Sequence, residues 1–178
     1  ITIKGNYTNN GLYEHRENLT TFNGGTQTIS GTSDIIFNDV VIAPVTSVTL
    51  SKNVTINNDI TLSRGTLICG SNYVNISGDV TNNATYTDVA TGFVLEGRNQ
   101  QNIGGSGTWG QLELNNASGA RLTTEITLTN DFILTKGIFD INAYLLTLQV
   151  GSDIVGIDFN ESKMITSDGV YSNVGISK

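Results

Sequence analysis

The chain is short of most of the residues from which catalytic and metal sites are usually built. Among 178 residues there is one Cys, one His, one Trp, one Met and one Pro. A single cysteine, Cys69, cannot close an internal disulfide, and a lone histidine, His15, has no second imidazole with which to share a metal. With only Pro44 set against 20 Gly, turns must rely on Gly, Asn and Asp, which tolerate left-handed backbone. Charged residues make up only 14%, and the net charge is −7. A phosphate backbone would be repelled and no basic stripe offsets that, so nucleic-acid partners are excluded. No apolar run approaches the ~18 residues of a membrane-spanning helix, so no membrane insertion by a helix is expected. Nor does any window of a dozen residues show helical periodicity.

What the chain does have is Thr, Asn, Ser and Gly around short alternating apolar bursts, such as Val48-Thr49-Leu50, Val54-Thr55-Ile56 and Ile60-Thr61-Leu62. Period-two alternation in Val, Ile, Thr and Tyr, broken by Gly and Asn, predicts many short strands. One stretch organises them. Asp59–Ile76 (DITLSRGTLICGSNYVNI) returns without a gap, 72 residues on, as Asp131–Leu148 (DFILTKGIFDINAYLLTL). Arg64 meets Lys136, Gly65 meets Gly137, Leu67 meets Phe139 and Cys69 meets Ile141. Cys69 is therefore read as a small buried hydrophobe. A repeat this regular points to stacked units.

The spacing of the bursts defines the stack. Ile60, Leu67 and Val74 open bursts seven residues apart, and Asp39-Val40, Asp59-Ile60 and Asp79-Val80 lie twenty apart. Three short strands per twenty residues predict a parallel β-helix, each burst pairing with the one a coil above. An antiparallel sandwich would carry more hairpin signals than Asn10-Gly11 and Asn23-Gly24. The length then allows roughly nine coils and a rod near 40 Å. Ile68 has the charged partner Asp140, so that position faces water, and the flanking Leu67/Phe139 and Cys69/Ile141 face inward. Gly65 and Gly137 are expected at corners needing positive φ. Asn58, Asn130 and Asn72 are placed at corners too, where stacked amides would bond along the axis.

The repeat extends outward from this stretch. Ile3–Asn10 matches Ile76–Asn83, Gln27, Ile29 and Gly31 match Gln101, Ile103 and Gly105, and Phe37, Val40 and Ile42 match Trp109, Leu112 and Leu114. The chain is thus read as one solenoid segment with units of about 1–73 and 74–148 and a partial unit 149–178. It is expected to belong to a longer protein, since an uncapped coil exposes its core.

TFNGGTQTISG (Thr21–Gly31), FNDVVI (Phe37–Ile42) and NNDITLSRGTL (Asn57–Leu67) resemble repeats in very large secreted surface proteins of Bacteroidota, the Flavobacterium-type bacteria. Asp39-Val40 departs from the Asn-Leu of that pattern. Lys163–Lys178 resembles the motif that often closes such a region. The resemblance implies a right-handed β-solenoid in an adhesin-like cell-surface protein, exported by the type IX route. Its expected role is non-enzymatic: a rigid stalk or binding scaffold in cell adhesion. The expected partners are surface glycans, proteins of host or neighbouring cells, and the rest of the parent chain. The alternative is a carbohydrate-binding or carbohydrate-cleaving β-helix.

Few residues invite a site. Tyr13-Glu14-His15-Arg16-Glu17 gathers the histidine with both signs of charge, yet its counterpart Tyr86-Thr87-Asp88-Val89-Ala90 keeps one charge, so a solvated loop is expected. Asp39, Asp59 and Asp79 would stack about 4.8 Å apart, but only Asp59 keeps its acid in the second copy, which favours a corner role over catalysis or cation binding. No calcium-binding nonapeptide or EF-hand loop is present, so neither a metal nor another cofactor is expected. Tyr13 and Trp109 are the candidate ligand contacts, as rings that could stack on a sugar. Trp109 has Phe37 as its partner, which favours a core place instead. The pairs Thr26/Thr28, Thr85/Thr87 and Thr127/Thr129 resemble those of ice-binding solenoids, but they do not recur every coil, which argues against a flat threonine ladder.

Overall fold

A computed structural model describes residues 1–88, 92–168 and 174–178. Val89 and Ala90 of the second-copy loop, and 169–173 within the closing motif, lie outside the described residues. Among the described residues the chain is all strand, turn and loop, and it winds as a parallel β-solenoid of about eight turns. At about 4.8 Å per rung the stack is roughly 40 Å long. The turn count is lower than nine because some turns exceed twenty residues, most of all the last ones.

Most turns contribute a strand to each of three faces. The first face runs Thr2–Ile3, Leu19–Phe22, Asp39–Ile42, Ile60–Leu62, Val80–Asn82, Gln101–Gly104, Ala120–Leu122, then the end of Phe132–Asp140, and Lys163–Thr166. The second runs Tyr7–Thr8, Thr26–Ser30, Ser47–Leu50, Thr66–Gly70 and Thr85–Asp88, passes through bridges at Thr108 and Trp109, and continues with Ile126–Leu128, Leu145–Leu148 and Gly175–Ser177. The third runs Ile35–Phe37, Val54–Ile56, Val74–Ile76, Phe93–Leu95, Leu112–Asn115, the start of Phe132–Asp140, and Ile154–Val155. All of these strand pairings are parallel, as Val40↔Ile60↔Val80 illustrates.

The alternation places the core as expected. Ile60, Leu62, Leu67, Cys69, Val74 and Ile76 are buried, and so are Phe132, Leu134, Phe139, Ile141, Leu146 and Leu148. Ile68 and Asp140 sit between buried neighbours on the outer surface. Among the described residues the last fully buried apolar side chain is Leu148; beyond it Ile154 and Ile165 pack partly against the core, and Val150, Ile157 and Phe159 are exposed. The weakening of the pattern after Leu148 thus coincides with the end of the packed core.

The long repeat does not fall on equivalent faces. Ile60 and Leu62 lie on the first face, their partners Phe132 and Leu134 on the third. Leu67 lies on the second face and Phe139 on the first, while Val74 lies on the third and Leu146 on the second. The offset of 72 residues is one face short of four turns. Each partner keeps its inward aim but is rotated by a third of a turn.

Corners hold the turns together. Gly65 and Gly137 have φ of 74° and 96°, where an L side chain is strained. Gln27 and Gln101 are fully buried. The Gln27 Nε2 donates to the carbonyls of Ile3 (3.1 Å) and Gly5 (2.6 Å), and its Oε1 accepts from the Gly24 amide. The Gln101 Nε2 donates to Ile76 (3.0 Å) and Gly78 (2.5 Å), and its Oε1 accepts from Gly97. The corner asparagines do bond along the axis, but not to one another as expected. Asn58 donates to the Asp39 carboxylate (2.7 Å), Asn130 to that of Asp88 (2.6 Å), and Asn72 to the Leu50 carbonyl (3.0 Å). A carboxylate, being charged, is a stronger acceptor than a neighbouring amide oxygen.

Candidate ligand-binding surfaces

Trp109 is fully buried. Its ring meets those of Tyr86 and Phe93 edge-on, each at 6.3 Å, and these two stack at 4.2 Å. Neither face of the indole is open to a sugar, so as a ligand contact Trp109 is corrected to a core residue. Tyr13 is half-buried and packs edge-on to Tyr7 (5.9 Å) and Phe37 (6.2 Å). The Tyr13–Phe37 pair is the first-copy counterpart of Tyr86–Trp109. A shallow depression with Gly11, Leu12 and Asp34 leaves part of Tyr13 reachable from solvent.

His15 is held at both nitrogens. Nδ1 donates to the Arg16 carbonyl (2.7 Å) and Nε2 accepts from the Asn57 amide (3.1 Å), so one tautomer satisfies both. Arg16 pairs with Glu14 at 3.6 Å in open solvent, and this pair adds little stability. Both ring partners are amide groups, one from the backbone and one from a side chain.

Asp39, Asp59 and Asp79 do stack in register along the edge of the first face. Their carboxylates cap the ladder: Asp39 accepts the Asp59 amide (3.2 Å), Asp59 the Asp79 amide (2.8 Å), and Asp79 the Asn102 amide (2.8 Å). Asp131 does the same for Asp153 at 2.8 Å. This column then changes sign at Arg121, which pairs with Asp140 at 3.2 Å. Carboxylates already committed to backbone donors suit a corner role rather than acid–base chemistry. Among the described residues no group of three or more His, Cys, Asp or Glu is placed to hold a metal.

Beside this column runs a polar groove between the third and first faces. Glu17, Asn38, Asp39, Asn57 and Asn58 line its lower part, and Ser77, Glu96, Arg98 and Asn99 continue it upward. Burial, and secondarily the nearby Glu113, pushes the Glu96 carboxyl above its usual range. Amides, carboxylates and a guanidinium together donate and accept in several directions, which is the chemistry needed to hold sugar hydroxyls. A partly buried polar network around Asp88 also lies outside the groove. Asp88 accepts from the Gln111 amide (2.6 Å) and Asn130, and Tyr86 donates its hydroxyl to the Gln111 carbonyl. Burial raises the pKa of Asp88, and it raises Tyr86 further with help from the Asp88 charge. Burial, again with Asp88 nearby, pushes the Cys69 thiol up to about 12. Cys69 is inert.

A different surface emerges from the register of the second face. Thr26 pairs with Ser47, Ser47 with Thr66, Thr66 with Thr85, and Thr85 with Thr108. The Trp109↔Leu128 bridge sets Thr108 above Thr127, which pairs with Thr147, and Thr147 with Ser177. A Thr or Ser therefore stands in this column at every turn from Thr26 onward, although Ser47 is buried. Two residues along each strand, Thr28, Thr49, Ile68 and Thr87 form a second column. Paired threonines nevertheless recur at only some turns, as expected: Ser47 is buried and Ile68 interrupts the second column, so no flat threonine ladder forms. The column advances by 21, 19, 19, 23, 19, 20 and 30 residues, so a fixed period loses it, although the inward residue after each hydroxyl marks it.

No protein-family model, no curated protein and no solved structure matches the chain.

Proposed function

We propose that the chain is a non-enzymatic segment of a secreted bacterial surface protein, of the adhesin-like kind found in Bacteroidota, and works as a rigid stalk or binding scaffold. The observation that carries this is the commitment of its polar groups. The stacked carboxylates, the corner amides and the buried glutamines bond one turn to the next. The strands Thr2–Ile3 and Gly175–Ser177 stand at opposite ends of the axis, so the stack sets a distance of roughly 40 Å between them. Such a rod projects whatever it carries away from the cell. Surface glycans are the ligands best matched by the polar groove along Asn38, Asn57 and Asn58, with Tyr13 some way off on the same lower turns.

The groove also supports the second reading, a carbohydrate-binding or carbohydrate-cleaving β-helix, through Glu96 and Arg98. Incubation of the purified chain with a glycan array, followed by a reducing-sugar assay on the hits, separates the two. Binding without release supports the adhesive scaffold, and silence in both supports the stalk. Release of reducing ends overturns the non-enzymatic reading.

A further inference from the structure

Two Asn-Gly pairs occur in the chain, Asn10-Gly11 and Asn23-Gly24, and the fold treats them differently. The backbone nitrogen that follows an asparagine is a nucleophile able to attack the side-chain amide carbon. Glycine eases that attack, because no Cβ obstructs it and its backbone turns freely. The fold then helps or hinders it through the freedom of the glycine and the groups bound to the side-chain amide.

Asn10-Gly11 is open to the reaction. Both residues are exposed, and a Cβ at Gly11 would meet nothing within 4 Å. The Asn10 Oδ1 accepts from the Thr32 amide (3.1 Å) and the Thr32 hydroxyl (3.3 Å) one turn above. Two donors on one carbonyl oxygen draw electrons from Cγ and are already placed for the oxyanion that attack creates. Among the described residues no acceptor holds the Asn10 Nδ2, so the leaving nitrogen faces water. The Gly11 amide is tied only to the Asn9 Oδ1, at 3.2 Å.

Asn23-Gly24 is held shut. Asn23 is half-buried and no donor reaches its Oδ1. The Gly24 amide is held by the buried Gln27 Oε1 at 2.7 Å, and a Cβ at Gly24 would lie 2.0 Å from the Lys4 carbonyl oxygen. The second copy supplies a further contrast. Asn83 repeats the Asn10 arrangement, its Oδ1 accepting from the Ser106 amide (3.1 Å) and hydroxyl (3.4 Å), but Ala84 follows it in place of glycine.

We infer that Asn10 is a site of self-modification, where the folded chain promotes deamidation through a succinimide formed with Gly11. The Gly11 nitrogen gives its proton to water or hydroxide and bonds to the Asn10 Cγ, while the Thr32 amide and hydroxyl hold the oxyanion. The bond from Cγ to Nδ2 breaks, and ammonia leaves with a proton from water. Water then opens the ring at either carbonyl, giving aspartate or isoaspartate. Both products carry a negative charge where the amide was neutral. The inference does not depend on the surface-protein reading.

The test incubates the native chain, and the same chain unfolded in guanidinium, at mildly alkaline pH. Mass spectrometry of the digested peptides follows each site, since conversion adds about 1 Da. In the folded chain Asn10 should convert about tenfold faster than Asn23, and faster than it does when unfolded. Unfolding should bring the two sites to similar rates. Thr32→Val removes the hydroxyl but keeps the backbone donor, and should slow Asn10 about fivefold, the worth of one hydrogen bond. Gly11→Ala should lower it to the rate of Asn83. Circular dichroism checks that both variants fold, and the comparison of folded with unfolded native chain needs neither of them. Equal rates at Asn10 and Asn23 in the folded chain overturn the inference. So does slower conversion of Asn10 in the folded chain than in the unfolded one, or an unchanged rate in folded Thr32→Val.

Discussion

Gln27 and Gln101 occupy matched places in the two copies of the long repeat, and each ties the same pattern of three backbone groups. The matched asparagines behave alike: Asn9 donates to the Asp34 carbonyl (2.7 Å) and accepts from Gly11, while Asn82 donates to Thr108 (3.0 Å) and accepts from Ala84. Gly31 and Gly105, at φ 140° and 114°, press against the carbonyls of Asn9 and Asn82. Yet the first glutamine stands on the second face and the second on the first. What is repeated is therefore a run of strands and corners, with no fixed orientation about the axis. A solenoid of three similar faces permits this, because a corner device needs only the turn beneath it.

The comparison can be broken most directly at the core. Leu62→Asp on the first face and Leu134→Asp on the third bury an unpaired charge. Both are expected to abolish the cooperative thermal transition seen by circular dichroism, whereas Thr61→Asp, on the outer surface, is expected to keep it. If Leu134→Asp melts normally while Leu62→Asp does not, the two copies are not equivalent in packing.

Corner glycines come next. An alanine Cβ at Gly65 would lie 2.7 Å from the Pro44 carbonyl oxygen, and one at Gly137 would overlap that of Asn116. Each also forces positive φ on a non-glycine residue, so each substitution should cost about 1–3 kcal/mol in urea unfolding. Gly137→Ala is expected to be the costlier. Equal stability of Gly137→Ala and the native chain would remove the corner role.

The glutamines sharpen the comparison further. Where the first copy has Pro44, which has no amide to offer, the second has Asn116, whose Nδ2 donates to the Gln101 Oε1 at 3.1 Å. Removing either glutamine takes the side-chain partner from one glycine carbonyl, that of Gly5 or Gly78, and one glycine amide, that of Gly24 or Gly97. Ile3 and Ile76 keep the amides of Asn23 and Glu96, and the cost is about 1–3 kcal/mol. Gln101→Ala should therefore destabilise more than Gln27→Ala in the same unfolding experiment.

The smallest effect concerns Asp88, which has no acidic counterpart in the first copy. Burial raises its pKa in the folded chain, so folding takes up a proton over the range between its ordinary value of 3.8 and the raised one. The penalty is full above the raised value and is relieved as pH falls through it. The thermal midpoint of the native chain should gain on that of Asp88→Asn as the pH is lowered through this range. A pH-independent difference would show that Asp88 is not desolvated.

The inward column was legible in the sequence because alternation and the gap-free match of Asp59–Ile76 with Asp131–Leu148 constrain each other. Gly65 and Gly137 were legible as corners, since only glycine takes their φ at little cost. The rotation of the second copy was not, because the same apolar residues suit any face. Nor was the hydroxyl column, whose turn-to-turn spacing is set by corner insertions such as Arg98-Asn99-Gln100, visible only once strands are paired. Trp109 was ambiguous for a simpler reason: an indole serves a core or a sugar equally well until its neighbours are known.

The parallel ladder has one more consequence, which concerns force. Its hydrogen bonds run along the axis of the rod, so a pull on the two ends loads the outermost rung first and spares those behind it. A turn that lets go releases about 20 residues, or roughly 70 Å of extended chain, in exchange for one rung of height. The rod would yield by peeling in steps, turn by turn, and so lengthen severalfold before its last turn opens. Under tension it is a shock absorber, stiff at rest and extensible when overloaded.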